Sequence, residues 1–139
     1  MLAYENEMFL TAMQEDGLTI AAKGLGLEQV FLSLVRVHCD PGNLVLVLGC
    51  SDAEEAWIIR KMEEHVCQHL NQFQFPRIDF LDKGEAQLPR RVTTDISTTE
   101  REAVYLGGGV LFITTRILVV DFLMDRIPAH LITGLMVYR

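Results

Sequence analysis

The fold is decided by residues 18–31, whose sequence is LTIAAKGLGLEQVF. Residues 18–22 are mostly apolar and predict a buried strand, the glycines at 24 and 26 predict a tight turn, and residues 28–38 predict a helix. A strand, a glycine loop and a helix in this order form the unit in which P-loop proteins hold phosphates on backbone N–H groups. A plain strand-to-helix turn with two glycines is the alternative.

The side chains that a P-loop uses for its chemistry are missing from this loop. The motif requires Gly, four residues and then Gly-Lys-Ser/Thr, and the matching positions hold Ala21, Gly26, Leu27 and Glu28. Leu27 stands where a lysine would neutralise phosphates, and Glu28 where a hydroxyl would bind Mg²⁺. Glu28 would also repel a phosphate about 4 Å away by ~4 kcal/mol at an effective dielectric of about 20. With Gly24 these residues predict a nucleotide-binding scaffold that binds no nucleotide.

The composition predicts one domain with a substantial core, because half of the 139 residues are hydrophobic. No apolar run reaches the ~20 residues of a membrane span, and the N-terminus lacks the basic region of a secretory signal. Three widely spaced cysteines predict free, mostly buried thiols in a reducing compartment. The net charge of −7 predicts weak binding of DNA or RNA by this segment alone, although it could contribute a contact within a larger protein.

Predicted strands and helices alternate along the chain, which indicates an α/β fold with a mainly parallel sheet flanked by helices. Besides residues 18–22, strands are predicted at 44–48, 110–114 and 132–138, with an extended segment at 88–94. Helices are predicted at 4–15, 28–38, 51–69, 98–106 and 116–124, the last two capped by Ser97 or Thr98 and by Thr115. Residues 63–87 are a possible insertion or loop. A strand that runs to the end of the chain predicts a domain truncated at its C-terminus, and a natural C-terminal strand is the alternative.

Four groups of polar residues are candidates for chemistry. His65 and His69 are spaced for a metal site, but a polar helix end is the favoured reading because no further ligand cluster is nearby. Arg90 and Arg91, with Arg101 nearby, could contact a phosphate, although a solvated loop with local ion pairs is favoured in an acidic chain.

Asp121 and Asp125 could form a carboxylate pair for metal-assisted hydrolysis, but charges on a helix surface are favoured. Asp95, Glu100 and Glu102 form a second acidic group, and no lysine stands at the spacing of a nuclease site. No Ser-His-Asp or Cys-His arrangement is evident, so the residues alone name no catalytic group and no metal ligand.

Two blocks of sequence stand out, LPRRVTTDIS at residues 88–97 and GGVLFITTRILVVDFLMDRIPAHLITGLMVYR at residues 108–139. Both closely resemble the XPF family of structure-specific DNA endonucleases. The match continues upstream through residues 16–26, 44–48 and 53–55, and so covers nearly the whole chain. The second block is long and idiosyncratic, which makes the resemblance specific.

The resemblance implies the first RecA-like domain of a superfamily-two helicase that has lost its ATPase activity. Active relatives carry Lys and Thr at the positions of Leu27 and Glu28, and an acidic pair near Tyr138 and Arg139. The resemblance also makes Thr114, Thr115 and Arg116 the candidates for a residual contact with the DNA backbone, beside Arg90 and Arg91. No catalytic residue and no cofactor are expected in these residues.

The family has a nuclease motif and a helix-hairpin-helix region, neither of which occurs in this chain, so a fragment is expected. The resemblance implies a nuclear protein of nucleotide excision repair and crosslink repair that engages branched or damaged DNA. The partners it implies are a small non-catalytic subunit and a repair scaffold protein, with Mg²⁺ in the nuclease domain. An active P-loop ATPase and a generic α/β interaction domain are the alternatives.

Overall fold

The computed structural model describes the backbone of residues 1–72 and 87–139, and the side chains of residues 1–67 and 87–139. Helices and strands alternate from the second helix onward, as the sequence predicts. In chain order the elements are α1 (Ala3–Gln14), α2 (Leu27–His38), β1 (Leu44–Leu48), α3 (Asp52–Gln72), β2 (Arg90–Val92), α4 (Thr98–Leu106), β3 (Gly109–Ile113), α5 (Thr115–Leu123), a 3₁₀ turn (Ala129–Leu131) and β4 (Gly134–Val137).

The chain divides into two compact units, Met1–Val37 and His38–Arg139. In the first unit, the strand predicted at residues 18–22 is wrong: the segment has no regular structure, and Leu18 and Ile20 are 86% and 87% exposed. An apolar run becomes a strand only where a neighbouring strand accepts its backbone hydrogen bonds. Nothing in the local sequence reveals whether such a neighbour exists.

The second unit is built on a sheet of four parallel strands in the order β2-β3-β1-β4. All five residues of β1 and all five of β3 are buried, as the continuous apolar runs predict for strands covered on both faces. β4 is an edge strand in which exposed and half-buried residues alternate. The prediction of an α/β fold with a parallel sheet is confirmed.

The two faces of this sheet carry different helices. Leu44, Leu46 and Leu48 pack in one core cluster with residues of α4 and α5, including Tyr105 and Ile117. On the other face Arg91, which pairs in register with Phe112, reaches α3. The connection from β1 to β2 runs in one direction across the sheet, and the connections from β2 to β3 and from β3 to β4 run in the opposite direction. Because such connections are right-handed, α3 lies on one face of the sheet and α4 and α5 lie on the other.

Element boundaries differ slightly from the prediction. Thr114 rather than Thr115 caps α5, with its side-chain oxygen accepting from the backbone N–H of Ile117. Residues 63–72 continue α3, and the rest of the possible insertion, residues 73–86, lies outside the described residues. Within the described residues, no helix is both long enough and apolar enough to cross a membrane.

Candidate functional site

A cavity of about 170 Å³ opens at the carboxyl edge of the sheet in the second unit. It lies where β2 and β3 end and where α3 and α5 begin, and we call it the β2–β3 cleft. Because the helices after β1 and β3 cover opposite faces of the sheet, this edge is where open α/β proteins bind ligands. The cleft is lined by Asp52, Glu55, Arg91, Val92, Thr93, Thr94, Phe112, Thr114 and Ile117.

Arg91 is the cation of this cleft. Its Nε atom lies 3.0 Å from Oε2 of Glu55, and its Nη2 atom donates to the backbone carbonyl of Asp52 at 3.0 Å. The local ion pair is confirmed, but Arg91 stands in strand β2 and not in a solvated loop. The Arg91 side chain is 37% exposed, so such a pair contributes at most about 1 kcal/mol to stability.

Glu55 brings a carboxylate into the cleft beside Arg91. Burial raises the pKa of Glu55, the positive charge of Arg91 opposes that shift, and the negative charge of Asp52 adds to it. The sequence placed Glu55 only in the first turn of a helix, and its role in the cleft was missed. Its position in the first turn of the helix that follows buried strand β1 was the available signal, because the carboxyl ends of parallel strands share one edge.

The Thr114, Thr115 and Arg116 candidates lie at the start of α5. All three residues are exposed, but only Thr114 lines the cleft, and its side chain also caps the helix. The structure therefore brings Thr114 and Arg91 into one cavity. A helix N-terminus also offers partial positive charge to an anion.

Arg90 lies on the opposite face of β2 from Arg91. Its Nη2 atom donates to the backbone carbonyls of Gly108 at 2.9 Å and Val104 at 3.3 Å. These carbonyls lie in and just after the last turn of α4, where the backbone carbonyls have no hydrogen-bond donor within the helix. The structure gives Arg90 a role in closing that helix end, and does not bring it into the β2–β3 cleft.

Asp121 is fully buried, so the favoured interpretation as a charge on a helix surface is wrong. Its carboxylate accepts two hydrogen bonds from Arg101, both at 3.0 Å, and one from the Tyr105 hydroxyl at 2.5 Å. Arg126 approaches at 3.4 Å. Burial acts to raise the pKa of Asp121, but the bonds from Tyr105 and Arg101 outweigh it and lower that pKa. Asp125 is exposed beyond the helix end, so the two carboxylates form no pair.

The glycine loop of the first unit keeps the predicted turn. Gly24 and Gly26 have φ values of +88° and +71°, which side chains rarely adopt, and α2 begins at the next residue. A buried carboxylate, Glu5, lies against Gly26, where an added Cβ would collide with it. Glu5 also accepts a hydrogen bond from the backbone N–H of Leu2 at 2.6 Å. Nothing in the sequence pattern predicts that Glu5 meets this loop.

The remaining candidates concern metals and thiols. Among the described residues, no group of three or more His, Cys, Asp or Glu side chains could hold a metal ion, and the side chain of His69 lies outside that set. All three cysteines are free, but only Cys39 is buried. Burial and neighbouring carboxylates raise the pKa of Cys50 to about 12, which keeps this thiol protonated and unreactive.

Sequence comparison gives relatives along the whole chain. The chain is 42% identical over 139 residues to a DNA repair endonuclease XPF of Cricetulus griseus, and all of the chain is covered. It is likewise 42% identical over 140 residues to the XPF endonuclease of Drosophila melanogaster. The chain is homologous to a segment of the XPF-type DNA repair endonucleases. It is also 34% identical, over 96% of its length, to the DNA repair protein rad16 of Schizosaccharomyces pombe.

The chain spans only a small part of these XPF-type relatives. It covers 13% of the Cricetulus griseus and Schizosaccharomyces pombe proteins and 12% of the Drosophila melanogaster protein. No protein-family model matches the chain. The activity of the whole relatives therefore does not transfer directly to these 139 residues.

Proposed function

We propose that this chain is the helicase-like part of an XPF-type structure-specific DNA endonuclease, and that it engages branched DNA without hydrolysing ATP. The observation that carries the proposal is the β2–β3 cleft, which joins Arg91 and Thr114 at the ligand-binding edge of a parallel sheet in a homologue of DNA repair endonucleases. The proposal includes a RecA-like fold and a role in nucleotide excision and crosslink repair in the nucleus.

The glycine loop supports the loss of ATPase activity. A working P-loop presents a lysine and a hydroxyl to the nucleotide, and here Leu27 and Glu28 take those positions at the start of α2. Glu5 adds a second carboxylate against Gly26. Two negative groups at a helix N-terminus take up the field that a triphosphate would use.

The cleft supports contact with the sugar-phosphate backbone rather than with base edges. An arginine, threonine hydroxyls and a helix N-terminus are the usual donors to phosphate oxygens, and such contacts position a protein on DNA without reading its sequence. With a net charge of −7 the chain binds weakly by itself, and the contact serves to orient DNA that other parts of a longer protein hold.

The whole-protein properties that follow from XPF-type homology belong to the same proposal. They comprise nuclease activity with Mg²⁺ in a separate domain, a small non-catalytic partner subunit and docking of a repair scaffold protein. Tyr138 and Arg139 follow β4 at the carboxyl edge, where an active helicase would carry its acidic metal-binding pair. Neither side chain supplies a carboxylate for Mg²⁺.

Binding of fluorescein-labelled forked DNA, measured by anisotropy over a range of salt concentrations, tests the DNA contact. Arg91→Gln is expected to weaken binding and to reduce the slope of log affinity against log salt by about one, because one phosphate contact is lost. Arg60→Gln is the matched control, because it removes one charge from an exposed arginine on α3 outside the cleft. Unchanged affinity and slope in Arg91→Gln would overturn the proposed contact.

A further inference from the structure

The Arg91 side chain is held in the cleft by charge more than by directed hydrogen bonds. Its Nε atom is 3.0 Å from Glu55 Oε2, yet within the described residues this buried N–H has no acceptor at a hydrogen-bonding angle. Among the residues that the structure describes, the guanidinium donates one hydrogen bond, from Nη2 to the carbonyl of Asp52. Arginine carries five N–H donors, so this guanidinium keeps donors for a further acceptor.

The carboxylate of Glu55 lies on the cleft side of Arg91, where a further acceptor would also bind. Its side chain is 16% exposed, lines the same cavity as Arg91, and stands on α3 beside the carboxylate of Asp52. An anion that enters the cleft therefore meets one guanidinium and two carboxylates. A single small anion gains little binding free energy there, because the negative charge of Glu55 already compensates the positive charge of Arg91.

We propose that Glu55 is an internal competitor for Arg91 that restricts the cleft to polyanionic ligands. This inference rests on the proposed function, because it concerns how the same cleft takes a DNA backbone. Consecutive phosphates displace the carboxylate because they add further contacts at Thr114 and the start of α5, and because a polyanion releases bound counterions. A free phosphate or mononucleotide supplies neither advantage.

The decisive variant is Glu55→Gln, which removes the charge and keeps the shape of the side chain. It is expected to bind forked DNA about two- to fivefold tighter than the wild type, because DNA no longer has to break the ion pair between Glu55 and Arg91. A partly exposed ion pair commonly changes an equilibrium constant by about this factor. Glu63→Gln is the matched control: it makes the same change of charge on an exposed residue of α3 outside the cleft. The gain is expected to vanish in the double variant Glu55→Gln/Arg91→Gln.

The outcomes separate this inference from the proposed function. If Glu55→Gln binds no more tightly than Glu63→Gln while Arg91→Gln still weakens binding, the competitor role is overturned and the DNA contact stands. If Arg91→Gln binds like the wild type, both fail. Should Glu55→Gln melt below the assay temperature, Glu55→Asp decides, because it withdraws the carboxylate by one methylene: tighter binding supports the competitor role and unchanged binding overturns it.

Discussion

At the scale of single residues, Asp121 is the charge on which the second unit depends. The carboxylate is fully buried and joins Arg101 and Tyr105 of α4 to Arg126 beyond α5. A buried ion pair is weak support for stability as a whole, but the loss of one partner leaves the other charge uncompensated. The network therefore makes the packing of α4 against α5 sensitive to one side chain.

Asp121→Asn is expected to lower the free energy of unfolding by about 3 kcal/mol, because Arg101 and Arg126 lose their counter-charge in a partly buried site. Urea unfolding at pH 7 measures the change. Asp125→Asn is the matched control: Asp125 is exposed with φ +54°, a conformation that Asn accepts, so a change within about 0.5 kcal/mol is expected. Equal effects of the two variants would contradict the role given to Asp121.

At the scale of elements, the glycine loop and α2 keep the turn and the helix of a phosphate site, but neither the preceding strand nor the charges. The left-handed glycines and the helix that follows them are still present, since backbone shape depends on Gly24 and Gly26 and not on a lysine. Affinity for a triphosphate depends on the side chains that neutralise it, and this loop presents carboxylates instead.

Titration with a fluorescent ATP analogue and Mg²⁺ is expected to give no saturable binding in the micromolar range, because Leu27 stands where the motif lysine would neutralise the phosphates. Gly17→Ala serves as the control for changes in loop glycines, because Gly17 has open space around it. Micromolar binding that Gly26→Ala abolishes and Gly17→Ala preserves would show an active P-loop and reverse this view.

At the scale of the whole molecule, the change of stability with pH is the sum of contributions from the groups whose pKa values shift on folding. The pKa of Asp121 is lower in the folded state than in the unfolded chain. As the pH falls, Asp121 is therefore protonated in the unfolded chain before it is protonated in the folded state. Its stabilising contribution is complete above about pH 5 and is lost as the pH falls through and below about 4. Glu55 acts in the opposite direction, because its raised pKa favours the protonated folded state in the same range.

Comparison of the wild type with Asp121→Asn at pH 7, 5, 4 and 3 isolates the Asp121 contribution, since both proteins carry Glu55. The difference in unfolding free energy is expected to shrink as the pH falls below about 4, because protonated Asp121 no longer offers the charge that asparagine lacks. Urea midpoints at each pH measure it. A difference that stays constant down to pH 3 would contradict the lowered pKa.

The sequence by itself determined the local elements and the fold class of the second unit. Continuous apolar runs specified β1 and β3, and helix periodicity specified α2. The sequence left Ser97 and Thr98 as alternative caps of α4, and the structure shows that Ser97 is the cap. The turn at Gly24 and Gly26 was also predicted, and the structure gives both glycines a left-handed φ. These features depend on contacts between residues close in the chain or on burial, which patterning records directly.

Only the tertiary structure decided which elements pair and which charges meet. It left residues 18–22 outside any sheet, placed Arg90 and Arg91 on opposite faces of β2, joined Arg91 to Glu55 across 36 positions of sequence, and buried Asp121 among residues of two helices. The physical reason is that strand pairing and ion pairing are contacts between distant segments. The free energy of such a contact depends on the partner and on the solvent that the partner excludes. The local sequence around one residue specifies neither of these.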